Sequence, residues 1–270
     1  MVEITKKYKI GTRRFGLVNW IGAWTLYKKE CLRFLNVWIQ TIFSPLVSSL
    51  LFLMVLSLAI GSDRGDVLGV SFISFLAPGL IAMQVIQQAF SHSSSTFMIG
   101  KIQGNIVDLL YAPLSATEVT ISLSLAAATR SFMIATISII TFYLIIDISI
   151  NHFFLLLLFT FLTSFILGNI GIISGLWAEK FDHQATITNF VIVPLSFLSG
   201  TFYSIERLPN FLKTISEANP FFYMIDGFRY CFIGQADGSI SFGIVYLSIL
   251  GILSWLAAYI LFKKGYKIKS

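Results

Sequence analysis

Six long apolar runs, at residues 37–60, 72–90, 125–146, 153–177, 185–202 and 242–262, alternate with more polar segments along this 270-residue chain. A helix of ~20 mostly apolar residues spans ~30 Å of hydrocarbon. Four runs reach that length, and 72–90 and 185–202 fall just short of it. The expected fold is an all-α membrane protein with six transmembrane helices.

Ahead of the first run, residues 17–36 read as a helix lying on the membrane. Leu17, Trp20, Ile21, Trp24, Tyr27, Cys31, Phe34 and Leu35 recur at helical spacing, with Thr25, Lys28, Lys29, Arg33 and Asn36 opposite. Tryptophans backed by lysines suit the headgroup level, either as an anchor or as a platform for a partner. Pro45 in the first run and Pro78-Gly79 in the second free backbone groups that lipid cannot satisfy, so neighbouring helices must cover them. The second run also carries Gln84, Gln87, Gln88 and Ser91, continued by Ser94 and Ser95, as a polar stripe. Such a stripe serves helix–helix hydrogen bonding at a seam or lines a transport path.

Between the second and third runs, an amphipathic helix is expected at 101–111 and ends at Ala112-Pro113, because proline cannot continue it. Ile102, Ile106, Leu109 and Leu110 share one face, for a partner or the bilayer; a tight structural turn is the alternative. Arg130 lies about one turn inside the third run if hydrocarbon begins near Leu125. It either reaches the interface, pairs with a neighbouring helix, or meets substrate. Ser164, Gly168, Gly171 and Gly175 in the fourth run, and Thr186, Asn189, Val193, Ser196 and Gly200 in the fifth, form close-packing seams for the bundle or a dimer. Residues 203–238 are apolar for a loop and read as two short re-entrant helices. The first, 208–216, opens at Pro209, and the second, 221–232, is capped by Asn219-Pro220. Asp226 and Arg229, at i and i+3 on the second helix, are placed to offset each other's charge.

Composition agrees with the pattern. Only 12% of residues are charged, against ~25% in soluble domains, and the mean hydropathy is +0.81. The net charge of +6 comes from the ends: Lys6, Lys7, Lys9, Arg13, Arg14, Lys28, Lys29 and Arg33 precede the first run, and Lys263, Lys264, Lys267 and Lys269 follow the last. The segments after runs one, three and five hold only Arg64, Arg207, Lys213 and Arg229 as cations. Lysine and arginine collect on the cytoplasmic side, so both termini are expected there, and anionic lipid accounts for the basicity without nucleic acid. The chain divides into a basic segment with its interfacial helix (1–36), a six-helix domain (37–262) and a basic tail (263–270). The first run is too long for a cleavable leader. Cys31 and Cys231 fall on opposite sides and are not expected to pair.

No G-x-x-x-x-G-K-[ST], zinc spacing, G-x-S-x-G or H-E-x-x-H occurs, so no enzyme chemistry is expected. The stretch Leu198 to Pro209 reads L-S-G-x-F-Y-x-I-E-x-L-P, and Asn219 to Tyr230 reads N-P-x-x-Y-x-I-D-G-F-R-Y. With the interfacial helix and Tyr111-Ala112-Pro113-Leu114-Ser115, these resemble the ABC-2 type permeases, the membrane halves of ATP-binding cassette exporters. The likeness covers nearly the whole chain after residue 17.

The resemblance implies a homodimer, or a heterodimer with a similar permease, in the bacterial cytoplasmic (inner) membrane. Two separate ATPase subunits would hold ATP and magnesium, leaving this chain without a cofactor. It casts 101–111 as the coupling helix, with Lys101, Ile102, Asn105, Ile106, Asp108, Leu109 and Leu110 against the ATPase. It casts the re-entrant pair as an outer gate, with Glu206, Asn219, Pro220, Tyr223, Asp226 and Arg229. The family exports polysaccharides and other glycoconjugates, drugs or lipids. The basic segment 1–16 departs from its commonest form. A secondary transporter or channel is the rival, but it would more often show intramembrane ionisable groups and repeats.

Overall fold

The computed structural model describes residues 16, 18–60, 66–146 and 148–267. Expectations for residues 1–15, for Leu17, for the loop at 61–65 and for Lys269 lie outside the described residues. Among the described residues five helices are long and apolar enough to cross a membrane. The first is α2 (Ser44–Ile60), entered through a π-helical turn at Ile39–Phe43. The others are α3 (Phe72–Ile102), α5 (Ala116–Ile146), α6 (Phe153–Trp177) and α11 (Ile240–Lys263). Shorter helices complete the fold: α1 (Trp20–Leu35), α4 (Ile106–Tyr111), α7 (Phe181–Ile187), α8 (Val193–Leu198), α9 (Asn210–Ala218) and α10 (Pro220–Ile233).

The fifth apolar run is not one regular helix. A π-helical turn at Thr188–Ile192 joins α7 to α8, making a continuous helical run over 181–198. At 1.5 Å per residue it is ~27 Å long. Its expected seam divides: Ser196 and Gly200 are buried, whereas Thr186 and Asn189 are exposed.

Two helices extend well beyond the apolar runs that announced them. α3 continues to Ile102 because its polar residues bond back into the helix: Ser94 Oγ donates to Phe90 O, and Ser95 Oγ and Thr96 Oγ1 donate to His92 O. It ends at Gly104, whose φ of +76° is the left-handed conformation glycine adopts freely. The helix expected at 101–111 is therefore cut in two, with Lys101 and Ile102 closing α3 and α4 starting afresh at Ile106. α5 begins at Ala116 because Ser115 and Glu118 form a capping box. The Glu118 carboxylate accepts from Ser115 N at 2.6 Å, and Ser115 Oγ accepts from Glu118 N at 3.3 Å.

The core is the α3–α6 pair. A Cβ at Gly171 would stand 2.6 Å from Phe90 O, and one at Gly175 2.8 Å from Ser94 O, so of the two uses open to the fourth run's glycines, bundle or dimer, these two serve the bundle by bringing the α3 and α6 backbones together. α5, α10 and α11 pack around this pair. One end of the bundle gathers both described ends of the chain. There Asn19 Nδ2 donates to Pro113 O, Lys101 Nζ to Leu176 O and Ala178 O, and Lys267 Nζ to Glu179. At the other end, Asn151 Nδ2 donates to Phe232 O and His152 N to Cys231 O, tying the α5–α6 loop to α10. Both cysteines are free.

Candidate coupling and gate surfaces

The end that carries α4 is built on α1. Asn19 caps α1 by accepting from Gly22 N, and its own N–H donates to the Glu118 carboxylate at 2.6 Å, so the starts of α1 and α5 are locked together. Leu26, Glu30 and Phe34 form the inner face of α1, while Trp20, Ile21 and Trp24 point outward. Buried Glu30 accepts from Arg33 Nε at 2.9 Å and from Thr96 Oγ1 at 2.8 Å, and Arg33 also reaches His92 O and Ser95 Oγ on α3. A buried charge needs such partners. The sequence reading placed Arg33 on a solvated face and did not single out Glu30.

The expected coupling residues separate into structural and free groups. Lys101 caps the C-terminal carbonyls of α6, where a cation is favoured. Ile106 is only 8% exposed and packs with Leu26, Phe97, Val119 and Leu123. Leu109 is half-buried, and Asn105 turns its amide toward Gln103 Oε1. The expected residues left facing outward are Ile102, Asn105, Asp108 and Leu110, with Val107 and Tyr111 beside them, the last 85% exposed. The single face expected for Ile102, Ile106, Leu109 and Leu110 is corrected accordingly: past the break at Gly104, Ile106 turns inward with Leu109 packed against the same cluster, while Ile102 and Leu110 are exposed. Nearby, Lys267 holds the Glu179 carboxyl below its usual range through their 2.9 Å hydrogen bond, and its own ammonium is held above the usual lysine value.

Of the polar stripe on α3, half is spent inside the chain. Gln84 is buried, donating to Pro45 O at 2.8 Å and accepting from Ser138 Oγ at 2.8 Å, so it knits α2, α3 and α5 and covers the proline carbonyl. Gln88 accepts from Arg130, which sits near the middle of α5. Pairing with a neighbouring helix is thus what Arg130 does here. Gln87 and Ser91 stay half-buried, and their side chains make no hydrogen bond among the described residues.

At the opposite end the two motif stretches fold onto each other. Asn219 caps α10 by accepting from Phe221 N and donates to Ser199 Oγ, with Pro220 as the first helical residue. Asp226 accepts from Asp237 N at 3.0 Å and Gly238 N at 2.9 Å. Fully buried Arg229 donates to Gly200 O and Thr201 O, and its guanidinium lies 3.9 Å over the Phe75 ring. The two charges offset each other only through space, since their hydrogen bonds go to different loops. Tyr223 packs edge-on to Phe222 and Tyr246, and Glu206 is exposed on a 3-10 turn. Asp237 was not foreseen; it accepts from Ser204 Oγ and Ile205 N and closes the same clamp.

The family model described as ABC-2 type transporter matches residues 22–233. The chain is 30% identical over 253 residues to the inner membrane transport permease YadH of Escherichia coli K12, covering 93% of this chain and 98% of that one. It is 26% identical to nodulation protein J of Rhizobium leguminosarum bv. viciae, over 94% of this chain and 98% of the relative. With Neorhizobium galegae nodulation protein J the identity is 23%, over 92% and 94%. The chain belongs to the ABC-2 type transporter family and is an ABC-2 permease.

Proposed function

We propose that this permease is the membrane subunit of an exporter driven by a separate ATP-binding cassette ATPase. Two copies of the permease pair in the bacterial inner membrane and carry two ATPase subunits on the face where both described ends of the chain lie. That face is cytoplasmic, on the strength of the lysines and arginines at both ends of the sequence. The observation that carries the reading is α4. Its Val107, Leu110 and Tyr111 project from the basic end of the bundle, where water would otherwise meet them, and an exposed aromatic beside aliphatic residues is the usual anchor of a protein interface. The sequence holds no nucleotide-binding loop, so the energy must enter through such a contact. ATP and magnesium belong to the partner. The run over 181–198 serves as the sixth span, and α9 with α10 forms the re-entrant pair under the outer face. Half-buried Gln87 and Ser91 face the path or the second copy. The substrate is of the kind the family exports: a glycoconjugate or polysaccharide, a drug, or a lipid.

The test is a Leu110→Asp, Tyr111→Ala double variant, which touches only outward side chains. The permease should insert and dimerise normally, the ATPase should no longer co-purify, and transport should stop. Normal ATP-dependent export by this variant would remove α4 from the coupling path and reopen the secondary-transporter reading.

A further inference from the structure

Two helical runs flank one strip of α3. Ser94 Oγ accepts from Gln184 Nε2 of α7 at 2.7 Å, and Ser95 Oγ accepts from Arg33 Nη1 of α1 at 3.1 Å. Ser91, one turn before both serines, and Gln87, a further turn back, therefore lie on the strip between these contacts. The flanking runs are antiparallel to α3, so their depth follows from its numbering. On one side Arg33 meets Ser95 and Pro45 O accepts from Gln84, which sets Gln40 level with residues 88–89 of α3. On the other side Gln184 meets Ser94 and a Cβ at Gly79 would stand 2.7 Å from Thr201 O, which sets Asn189 level with residues 89–90.

Gln40, Asn189 and Ser44, one turn beyond Gln40, are exposed, whereas Gln87 and Ser91 between them are half-buried. Projecting walls over a recessed floor make a cleft. None of these five side chains makes a hydrogen bond among the described residues, and Gln87 stands midway along the 31-residue α3, where lipid offers no partner. The chemistry of the cleft selects what fills it. Residues 36–48, 84–95 and 185–196 contain no Asp, Glu, Lys or Arg, and the nearest cations are engaged, Arg33 with Glu30 and Arg130 with Gln88. A charged drug or a phosphorylated headgroup would be desolvated there without a counter-charge. An acyl chain would leave the amides unpaired. Amides donate and accept side by side, and hydroxyls do both, which matches the adjacent hydroxyls of a sugar ring.

We propose that this cleft is the carbohydrate-contacting part of the export path, with Gln40, Gln87 and Asn189 hydrogen-bonding the neutral, hydroxyl-rich portion of a glycoconjugate substrate. The inference rests on the export reading and narrows its substrate to one class.

The test places a photo-crosslinking amino acid at Gln40, or at Asn189, of the full-length permease in its native cells. Leu253, 56% exposed on α11, is the lipid-facing control position. After irradiation the permease is purified under denaturing conditions, and attached material is identified by mass spectrometry and by monosaccharide analysis after acid hydrolysis. Sugar should be recovered at both cleft positions at tenfold or more over the Leu253 level. Gln87→Leu with Ser91→Ala removes groups that bond nothing inside the chain, and should lower the sugar yield at position 189 at least fivefold while the permease still elutes as one species in size exclusion. If that pair aggregates, the comparison with Leu253 decides alone. Sugar no higher than at Leu253 would overturn the proposal, whether the adducts are phospholipid, a drug-like molecule, a second permease copy or absent. An unchanged sugar yield in the well-folded double variant would overturn the hydrogen-bonding role of the α3 strip. ATPase co-purification is scored on the same membranes: sugar absent with the ATPase retained removes this inference alone, and the ATPase lost with sugar retained removes the coupling reading alone.

Discussion

Substituting the glycines of α6 by alanine tests the core of the fold, because the structure gives each one a different neighbour. At Gly168 the new methyl meets Ala127 Cβ at 3.1 Å and Ser93 Oγ at 3.5 Å, both side-chain atoms. At Gly175 it meets Ser94 O at 2.8 Å, and at Gly171 it meets Phe90 O at 2.6 Å with Ser94 N at 3.2 Å. A backbone carbonyl inside a helix cannot rotate away, so relief at Gly171 requires α3 and α6 to separate and lose dispersion contacts along the interface. Overpacking of this kind costs ~1–3 kcal/mol. Against it stands the gain of ~0.5–1 kcal/mol from replacing a mid-helix glycine by alanine. The two nearly cancel at Gly168 and do not at Gly171. Gly168→Ala should therefore lie within ~0.5 kcal/mol of the parent, Gly175→Ala should be intermediate, and Gly171→Ala should lose ~1–2 kcal/mol. Reversible unfolding in mixed micelles with increasing denaturing detergent, read by circular dichroism, gives the order. A Gly171→Ala variant as stable as Gly168→Ala would refute the close backbone approach.

Other consequences are equally specific. Ile106→Asp buries an unpaired charge inside the permease and should cost ~3 kcal/mol or more of its own stability, whereas Leu110→Asp should leave the melting curve unchanged. Asp226→Ala removes the acceptor of two backbone N–H groups at ~1.5–3 kcal/mol each, so detergent melting should show a loss of ~3 kcal/mol or more; an unchanged melt would mean that loop 237–238 is held by something else. Arg130→Met alone leaves Gln88 without its partner and should cost ~1–3 kcal/mol, while the Gln88→Leu, Arg130→Met pair should restore most of that and retain transport. Transport lost in a stable double variant would assign Arg130 to substrate instead. Glu179 and Lys267 form an exposed pair that salt screens; since the Glu179 carboxyl is held low, any contribution is present above its ordinary range and lost as pH falls through the lowered value. Glu179→Gln should leave stability at neutral pH unchanged, and a clear drop in the melt would show that the tail is fastened by more than this contact.

Much of the fold was legible because lipid-facing surface must be apolar. The long α6 and α11 match their hydropathy runs within a few residues, and the Gly168, Gly171, Gly175 spacing pointed to a close-packing seam, whose partner the structure shows to be α3. What hydropathy hid was the reach of α3 and α5. Ser94 and Ser95 count against a span in a sliding average and lie past the end of the apolar run, yet in the bundle each meets a partner and α3 passes through unbroken. The signal for the early start of α5 was present as Ser115-x-x-Glu118, a capping box overlooked beside the apolar run. The division of the coupling segment was signalled by Gly104, which periodicity alone does not weigh. Glu30 carried no such signal, because its role depends on Arg33 and Thr96, the latter distant in sequence. Asp237 likewise serves residues 204 and 205 across a long loop.

Energy transfer from an ATPase through α4 is tested most directly at Tyr111. A photo-crosslinking amino acid at that position, activated in native membranes, samples whatever lies against the most exposed aromatic of α4. The expected product is a single protein adduct whose partner carries a G-x-x-x-x-G-K-[ST] loop and whose yield changes when ATP is added. A correctly inserted permease that yields only lipid adducts at this position, with or without ATP, would contradict it.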